Sequence, residues 1–221
     1  MRAAFLGLKK KSMHNKPEFI TFTGIDDRTD LARADKLAGM YPIEWGVLFS
    51  ADNQDARYPC AQAVNEIMQI KGYKAAHLCG KVSKDAAQGQ RVDWVPLEQF
   101  NRIQLNGKEV PTEYFDKLKS TYGVEIIRQV CEAGFSGHAP AFELYDISGG
   151  EGVIPEKIPA HPDGKTFVGY AGGMGPETVI SYLKRIDING PYWIDMESRI
   201  RTNGWFDLAK VTKVCELVYG S

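Results

Sequence analysis

Two short stretches place paired glycines where a strand gives way to a turn: Ser148-Gly149-Gly150-Glu151-Gly152 and Ala171-Gly172-Gly173-Met174-Gly175. Glycines leaving a parallel strand let backbone N–H groups approach an anion closely, and the N-terminus of a following helix adds partial positive charge. Either stretch alone reads better as a tight βα turn. Two of them on late strands point to a phosphate site. Asp146 ends the run Ala141–Tyr145 just ahead of the first glycine pair, so a carboxyl group is expected to face that anion site; the plainer alternative is an Asp bonded to its own turn. Cys60, Cys79, Cys131 and Cys215 lie far apart without CxxC or His/Cys pairing, and His77, His138 and His161 have no ligand spacing. No metal site is expected. Free thiols in a reducing, cytoplasmic compartment are, with polar or capping roles for the histidines.

The chain that must position these residues has 221 amino acids, with 27 Lys+Arg against 28 Asp+Glu and a formal charge of −1. No global field therefore draws nucleic acid or anionic lipid, and any anion is bound locally. The apolar run Ala3–Leu8 stops at Lys9-Lys10-Lys11, too short for a signal segment, and no other run reaches the roughly 18 apolar residues of a membrane span. Residues 1–17 read as a flexible basic extension and 18–221 as one domain. Strand-like runs at Phe19–Thr23, Trp45–Phe49, Ala75–Leu78, Arg102–Leu105, Val124–Arg128, Ala141–Tyr145, Phe167–Tyr170 and Tyr192–Met196 alternate with helical periodicity. The helical segments are Asp30–Met40, Pro59–Ile70, Asp85–Arg91, Thr112–Ser120, Pro176–Ile186 and Asp207–Val218. Eight strands alternating with helices predict an α/β fold, a single (β/α)8 TIM barrel. The Gly- and Pro-rich stretch 147–165 cannot be a regular helix and reads as a lid after the sixth strand.

Ordered motifs run along these elements. Ile20-Thr21-Phe22-Thr23-Gly24 forms the first strand, and Phe49 to Tyr58 ends in Ala56-Arg57-Tyr58. Gln104-Leu105-Asn106-Gly107-Lys108-Glu109 follows the fourth strand, and Leu144-Tyr145-Asp146 precedes Gly149-Gly150-Glu151-Gly152. Ala171-Gly172-Gly173-Met174 runs into Pro176-Glu177-Thr178-Val179, and Asp195 to Ser198 is trailed by Gly204 and Asp207. In that order they resemble the motifs of the phosphoribosylanthranilate isomerase family, (β/α)8 enzymes of tryptophan biosynthesis in the ribulose-phosphate-binding barrel group. There they read K-I-C-G, F-x-x-S-P-R-Y, Q-L-H-G-D-E, L-L-D-S with G-G-T-G, A-G-G-L-x-P-E-N-V, and D-V-S-S-G-V-E with G-x-K-D.

The resemblance implies an aldose–ketose isomerase that performs an Amadori rearrangement without metal or organic cofactor. A phosphorylated aminoribose ring is opened and a proton leaves C2′, so the aminoaldose becomes an aminoketose. It places the general acid at Asp146, the contact to the anthranilate carboxylate at Arg57, and the phosphate at Gly149, Gly150, Gly152, Gly172, Gly173 and Ser198. The catalytic base of the family, a Cys, falls on Thr23, whose hydroxyl is not appreciably ionised near neutral pH. Either the barrel is catalytically silent and binds a phosphosugar or a partner, or another group supplies the base. Asp26 and Glu197 are the nearest candidates, and Glu197 paired with Asp146 is also compatible with a different lyase or epimerase. Glu197 replaces a phosphate-binding serine, Arg199 a glycine and Asn106 a histidine. A carboxylate at 197 repels phosphate unless Arg199 or Arg201 compensates, or forms a strand-end ion pair with an arginine instead. The oligomeric state is left open.

Overall fold

A computed structural model describes residues 16–52, 55–107, 113–131, 134–136, 142–147 and 151–220. Its strands are β1 (Ile20–Thr23), β2 (Ile43–Phe49), β3 (Tyr73–Leu78), β4 (Arg102–Leu105), β5 (Glu125–Val130), β6 (Phe142–Tyr145), β7 (Val168–Tyr170) and β8 (Tyr192–Met196). All pair in parallel in chain order, and β1 also pairs with β8, which closes an eight-stranded barrel. The expected single (β/α)8 architecture is the one observed.

Alternation of side chains along each strand sorts the residues into two faces. Ile20, Phe22, Trp45, Val47, Ile103, Ile126, Ile194 and Met196 belong to the main core beneath the helices. That core is completed by α1 (Leu31–Met40), α2 (Ala61–Ile67), α3 (Gly80–Ala87), α4 (Glu113–Tyr122), α5 (Val179–Leu183) and α6 (Leu208–Tyr219). In α6 the buried Leu208, Val211, Val214, Cys215 and Val218 recur at helical spacing. Asp207 caps this helix through Ala209 N and Lys210 N, and Asp30 caps α1 through Arg33 N.

Several helix limits differ from the sequence pattern. The third helix begins at Gly80, directly after β3, and ends at Ala87 rather than spanning 85–91, because Val82, Ser83, Ala86 and Ala87 form its buried face and Gly89 turns the chain at φ +71°. α2 and α5 stop short of Ile70 and Ile186, where N–H groups switch to carbonyls three residues back (Gln69 N to Glu66 O, Arg185 N to Tyr182 O). A β-hairpin, β9 (Arg201–Thr202) and β10 (Trp205–Phe206), lies between β8 and α6; its turn is Asn203-Gly204, both at positive φ, a hairpin signal the strand pattern overlooked. No helix forms among the described residues between β5 and β7, so residues 151–165 are irregular as expected.

The inward face is closed at its amino end by apolar and aromatic side chains. Trp193 and Ile127 pack there with Phe19, Phe142 and Phe167, and the cluster extends through Leu144 and Ala171 towards the carboxyl ends of the strands. Above them lies a buried ion pair: Arg102 Nε donates to Glu44 Oε2 at 2.8 Å, and Thr21 Oγ1 donates to Glu44 Oε1 at 2.9 Å. The guanidinium carbon sits 4.4 Å from the Trp193 ring centroid. Removing one partner strands the other's charge away from water, which costs about 3–5 kcal/mol, whereas an apolar pair of similar volume is near neutral. Arg102→Ala is therefore expected to lower stability by that amount in urea denaturation, and the double variant Glu44→Leu/Arg102→Met to recover most of it.

Candidate active site

Parallel strands bring all their carboxyl ends to one rim, so the residues that end them share one space. Here that space is a cavity of about 460 Å³. Its wall takes Thr23 from β1, Arg57 and Tyr58 from the loop after β2, His77 and Cys79 from the end of β3, and Gln104 and Asn106 from that of β4. Gln129 and Cys131 come from the fifth strand, Asp146 from the sixth, Gly172 and Gly173 from the seventh, and Asp195, Glu197 and Ser198 from the eighth; Gly152 joins from the long loop.

One end of the cavity is built from main chain. Gly152, Gly173 and Ser198 are in close contact: a Cβ at Gly173 would stand 2.7 Å from Ile154 N and 2.9 Å from Gly152 O, and one at Gly152 would collide with Ser198 Oγ. Gly172 and Gly173 have φ of +102° and +66°, a region L side chains rarely adopt. The turn is held from behind by Thr178 Oγ1, which donates to Gly173 O at 2.8 Å, and by Tyr182 Oη, which donates to Ala171 O at 2.7 Å. Asp146 flanks this turn, with its Oδ1 3.8 Å from where a Cβ on Gly172 would be. Gln129 Nε2 reaches Asp146 Oδ2 at 3.4 Å.

Carboxylates gather on the other side. Thr23 Oγ1 donates to Asp195 Oδ1 at 2.8 Å, across the seam where β1 meets β8. Gly46 on β2 leaves room for that hydroxyl, since a Cβ there would stand 2.5 Å from Thr23 Oγ1. Burial drives the Asp195 carboxyl well above the ordinary range; the charges of Glu44, Asp146 and Glu197 add to this, and the Thr23 hydrogen bond opposes it. His77 Nε2 lies 3.9 Å from Asp195 Oδ2, but burial, helped by Arg102, pushes the imidazole down to about 3. It is neutral near pH 7, so this contact is no ion pair. Glu197 Oε1 accepts from Arg57 Nη1 at 3.5 Å. Burial raises the Glu197 carboxyl, with the Arg57 and Arg201 charges opposing. Arg57 also donates to Asp55 Oδ2 at 3.0 Å, so its guanidinium is shared between two carboxylates.

The model of the N-(5'phosphoribosyl)anthranilate (PRA) isomerase family matches residues 92–217. The chain belongs to that family. No curated protein matches it. Among solved structures, PRA isomerase from Thermotoga maritima is 16% identical with a TM-score of 0.64, covering 91% of this chain and 98% of that one. The Pyrococcus furiosus enzyme is 18% identical with a TM-score of 0.60, covering 92% and 99%. A further PRA isomerase, solved with reduced 1-(o-carboxyphenylamino)-1-deoxyribulose 5-phosphate, is 17% identical with a TM-score of 0.62, covering 91% and 98%. The protein is thus an isomerase of the PRA isomerase type on the (β/α)8 barrel.

Of the residues the family motifs single out, Thr23, Arg57, Asp146, Gly152, Gly172, Gly173 and Ser198 all line the one cavity. Gly149 and Gly150 lie outside the described residues, as does His138. Asp26 is not in the wall: its Oδ2 accepts from Arg201 Nη2 at 3.0 Å and Phe206 N at 2.7 Å, and its Oδ1 from Thr29 Oγ1 at 3.1 Å. It ties the first loop to the hairpin, which removes it as a replacement base. Arg201 is occupied by Asp26 and by Gly24 O, and Arg199 Nε by Gly152 O at 3.3 Å, so the arginine that meets Glu197 is Arg57. His161 has the structural role expected, accepting from Gly164 N at 3.0 Å. His77 lines the cavity as a buried, neutral imidazole. The PRA isomerase motifs include Asp195, but its bond to Thr23 had no local sequence signal.

A carboxyl whose pKa is higher folded than unfolded binds more protons in the folded state, so stability falls as pH rises from the ordinary value towards the raised one. Asp195→Asn keeps an acceptor for Thr23 and is expected to remove that loss. Above this window the variant should be more stable than the wild type, each tenfold of raised proton affinity being worth about 1.4 kcal/mol. Urea midpoints compared across pH read the difference.

Proposed function

We propose that this barrel converts a phosphorylated N-aryl aminoribose into the corresponding aminoketose phosphate, within the cavity at the strand carboxyl ends. The observation that supports this best is the meeting of Gly152, Gly172, Gly173 and Ser198 at one end of the cavity, with Asp146 beside them and Thr23 and Asp195 on the β1–β8 side. Backbone amides at the glycine turns, with Gly149 and Gly150 assigned by motif, hold the phosphate and fix the ribose in the chamber between. Asp146 acts as general acid on the furanose oxygen. Arg57 orients the aryl carboxylate, for which it must leave Glu197; this partly exposed pair is worth roughly 1 kcal/mol or less and is readily exchanged.

The reaction needs proton donors and acceptors and an anion site, and we assign no cofactor. The balanced net charge supports a small-molecule substrate and not a nucleic acid. A cytoplasmic location is inferred from the thiols, since all four cysteines are free. No described helix is long and apolar enough to cross a membrane.

The test is isomerisation of phosphoribosylanthranilate by the purified chain, with calorimetric binding of the reduced carboxyphenylamino-deoxyribulose phosphate in parallel. Turnover and binding are expected in the wild type. Asp146→Asn should lower kcat by about 10²- to 10⁴-fold while ligand affinity is retained. Gly173→Val should abolish ligand binding, because the added side chain meets Ile154 N and the backbone cannot relax from its positive φ. Binding without turnover would make the chain a silent phosphosugar-binding barrel, and neither binding nor turnover would sink the reading altogether.

A further inference from the structure

Thr23 occupies the position of the family's base, yet a hydroxyl cannot hold the C2′ proton, so the group that takes it must lie nearby. We propose that Asp195 is the catalytic base of this enzyme, its carboxylate reaching across the β1–β8 seam to the space beside Thr23. The proposal rests on the isomerase reading above and names the residue that completes it.

Position comes first. Asp195 Oδ1 lies 2.8 Å from Thr23 Oγ1, so it stands within one hydrogen bond of the side chain on β1 where the family's acceptor falls. It lines the cavity, unlike Asp26. Glu197 also lines it, but its side-chain partner is Arg57 on the β2 loop and not Thr23. β8 lies two strands from β6 around the barrel, so Asp195 and Asp146 enter the same cavity from separate strands. The single hydroxyl donor orients one carboxylate oxygen, as a base that must meet a C–H bond requires.

The chemistry then balances. Asp146 protonates the ring oxygen, the C1′–O bond breaks, and the nitrogen lone pair forms a C1′=N iminium cation. The Asp195 carboxylate removes the C2′ proton, and that C–H electron pair becomes a C1′=C2′ bond as the iminium π electrons return to nitrogen. Proton gain at C1′ and loss from the C2′ hydroxyl give the aminoketose, and both carboxyl groups regain their starting states by exchange with water. Charged and titratable groups acting on or near Asp195 are Glu44 from β2, itself bonded to Arg102 from β4, His77 from β3 at 3.9 Å, Asp146 from β6 and Glu197 from β8. The neutral imidazole of His77 adds no charge, while burial, with the charges of Glu44, Asp146 and Glu197, raises the proton affinity of Asp195. The iminium cation lowers it again at the step where an ionised base is required, so this carboxylate is strong and matched to its task.

The experiment compares the wild type, Asp195→Asn, Thr23→Cys and the double variant on phosphoribosylanthranilate, with reduced-ligand affinity and a kcat/KM pH profile for each. Asp195→Asn should lose at least about 100-fold in kcat at unchanged ligand affinity. Thr23→Cys placed in that background should restore at least about tenfold, because a thiolate again stands at the first strand, and its rate should then rise with thiol ionisation at alkaline pH. Retention of wild-type kcat within tenfold in Asp195→Asn overturns the assignment, and so does a loss that Thr23→Cys fails to rescue, which marks Asp195 as structural. A wild type without turnover removes the isomerase reading itself, whereas an active wild type with an equally active Asp195→Asn removes only the role of this residue.

Discussion

Closure of the sheet, with β1 lying against β8 in the register Ile20 to Ile194, Thr21 to Asp195 and Phe22 to Met196, is the constraint on which the rest of this molecule depends. It leaves the barrel without an exposed edge and gives every strand an inward and an outward face. The same closure joins Thr23 to Asp195 across 172 residues of chain. At the amino end the interior is filled by aromatic rings and by Arg102 held against Glu44. At the carboxyl end small residues, Gly46, Ala171, Gly172 and Gly173, leave volume unfilled. A packed floor under an open mouth follows from where large and small inward residues fall along the strands.

The mouth has an uneven charge distribution. Asp146, Asp195 and Glu197 lie in its wall and Glu44 acts on Asp195 from the amino end; burial and these charges make the Asp195 carboxyl resist ionisation, which disfavours the folded chain as pH rises above the ordinary carboxylate range. Such an arrangement lowers stability and suits a reaction that passes through a cation beside a carboxylate. At the opposite end the described wall residues Gly152, Gly172, Gly173 and Ser198 present main chain and a hydroxyl rather than a cation.

Membership in the PRA isomerase family is compatible with substitutions at the chemical centre because the scaffold and the site draw on different residues. The outward faces of the strands and the buried stripes of the helices determine the barrel. Thr23, Asn106 and Glu197 all project into the cavity, where exchanging one polar side chain for another leaves the main core untouched. Glycine positions are less free: Gly46, Gly152 and Gly173 are each in contact with backbone or side chain of a neighbouring strand or loop, and a side chain at any of them would close the site.

The sequence by itself determined the strand order and the barrel, because period-two runs bounded by helical segments are local signals; β4 and β8 begin and end at the residues the pattern predicts. It also determined the Gly172-Gly173 turn and the place of Asp146 at the end of β6, since a turn after a strand is encoded within a few residues. Helix ends were less legible, as at Gly80–Ala87, where burial against neighbouring elements outweighs local preference. Only the tertiary structure decided which groups meet: Asp26 with Arg201 rather than with a substrate, Glu197 with Arg57, His77 facing the cavity, and Thr23 with Asp195. Those pairings depend on the register with which the first and last strands join and on the tilt that closure imposes, and no stretch of chain short enough to read locally contains both partners.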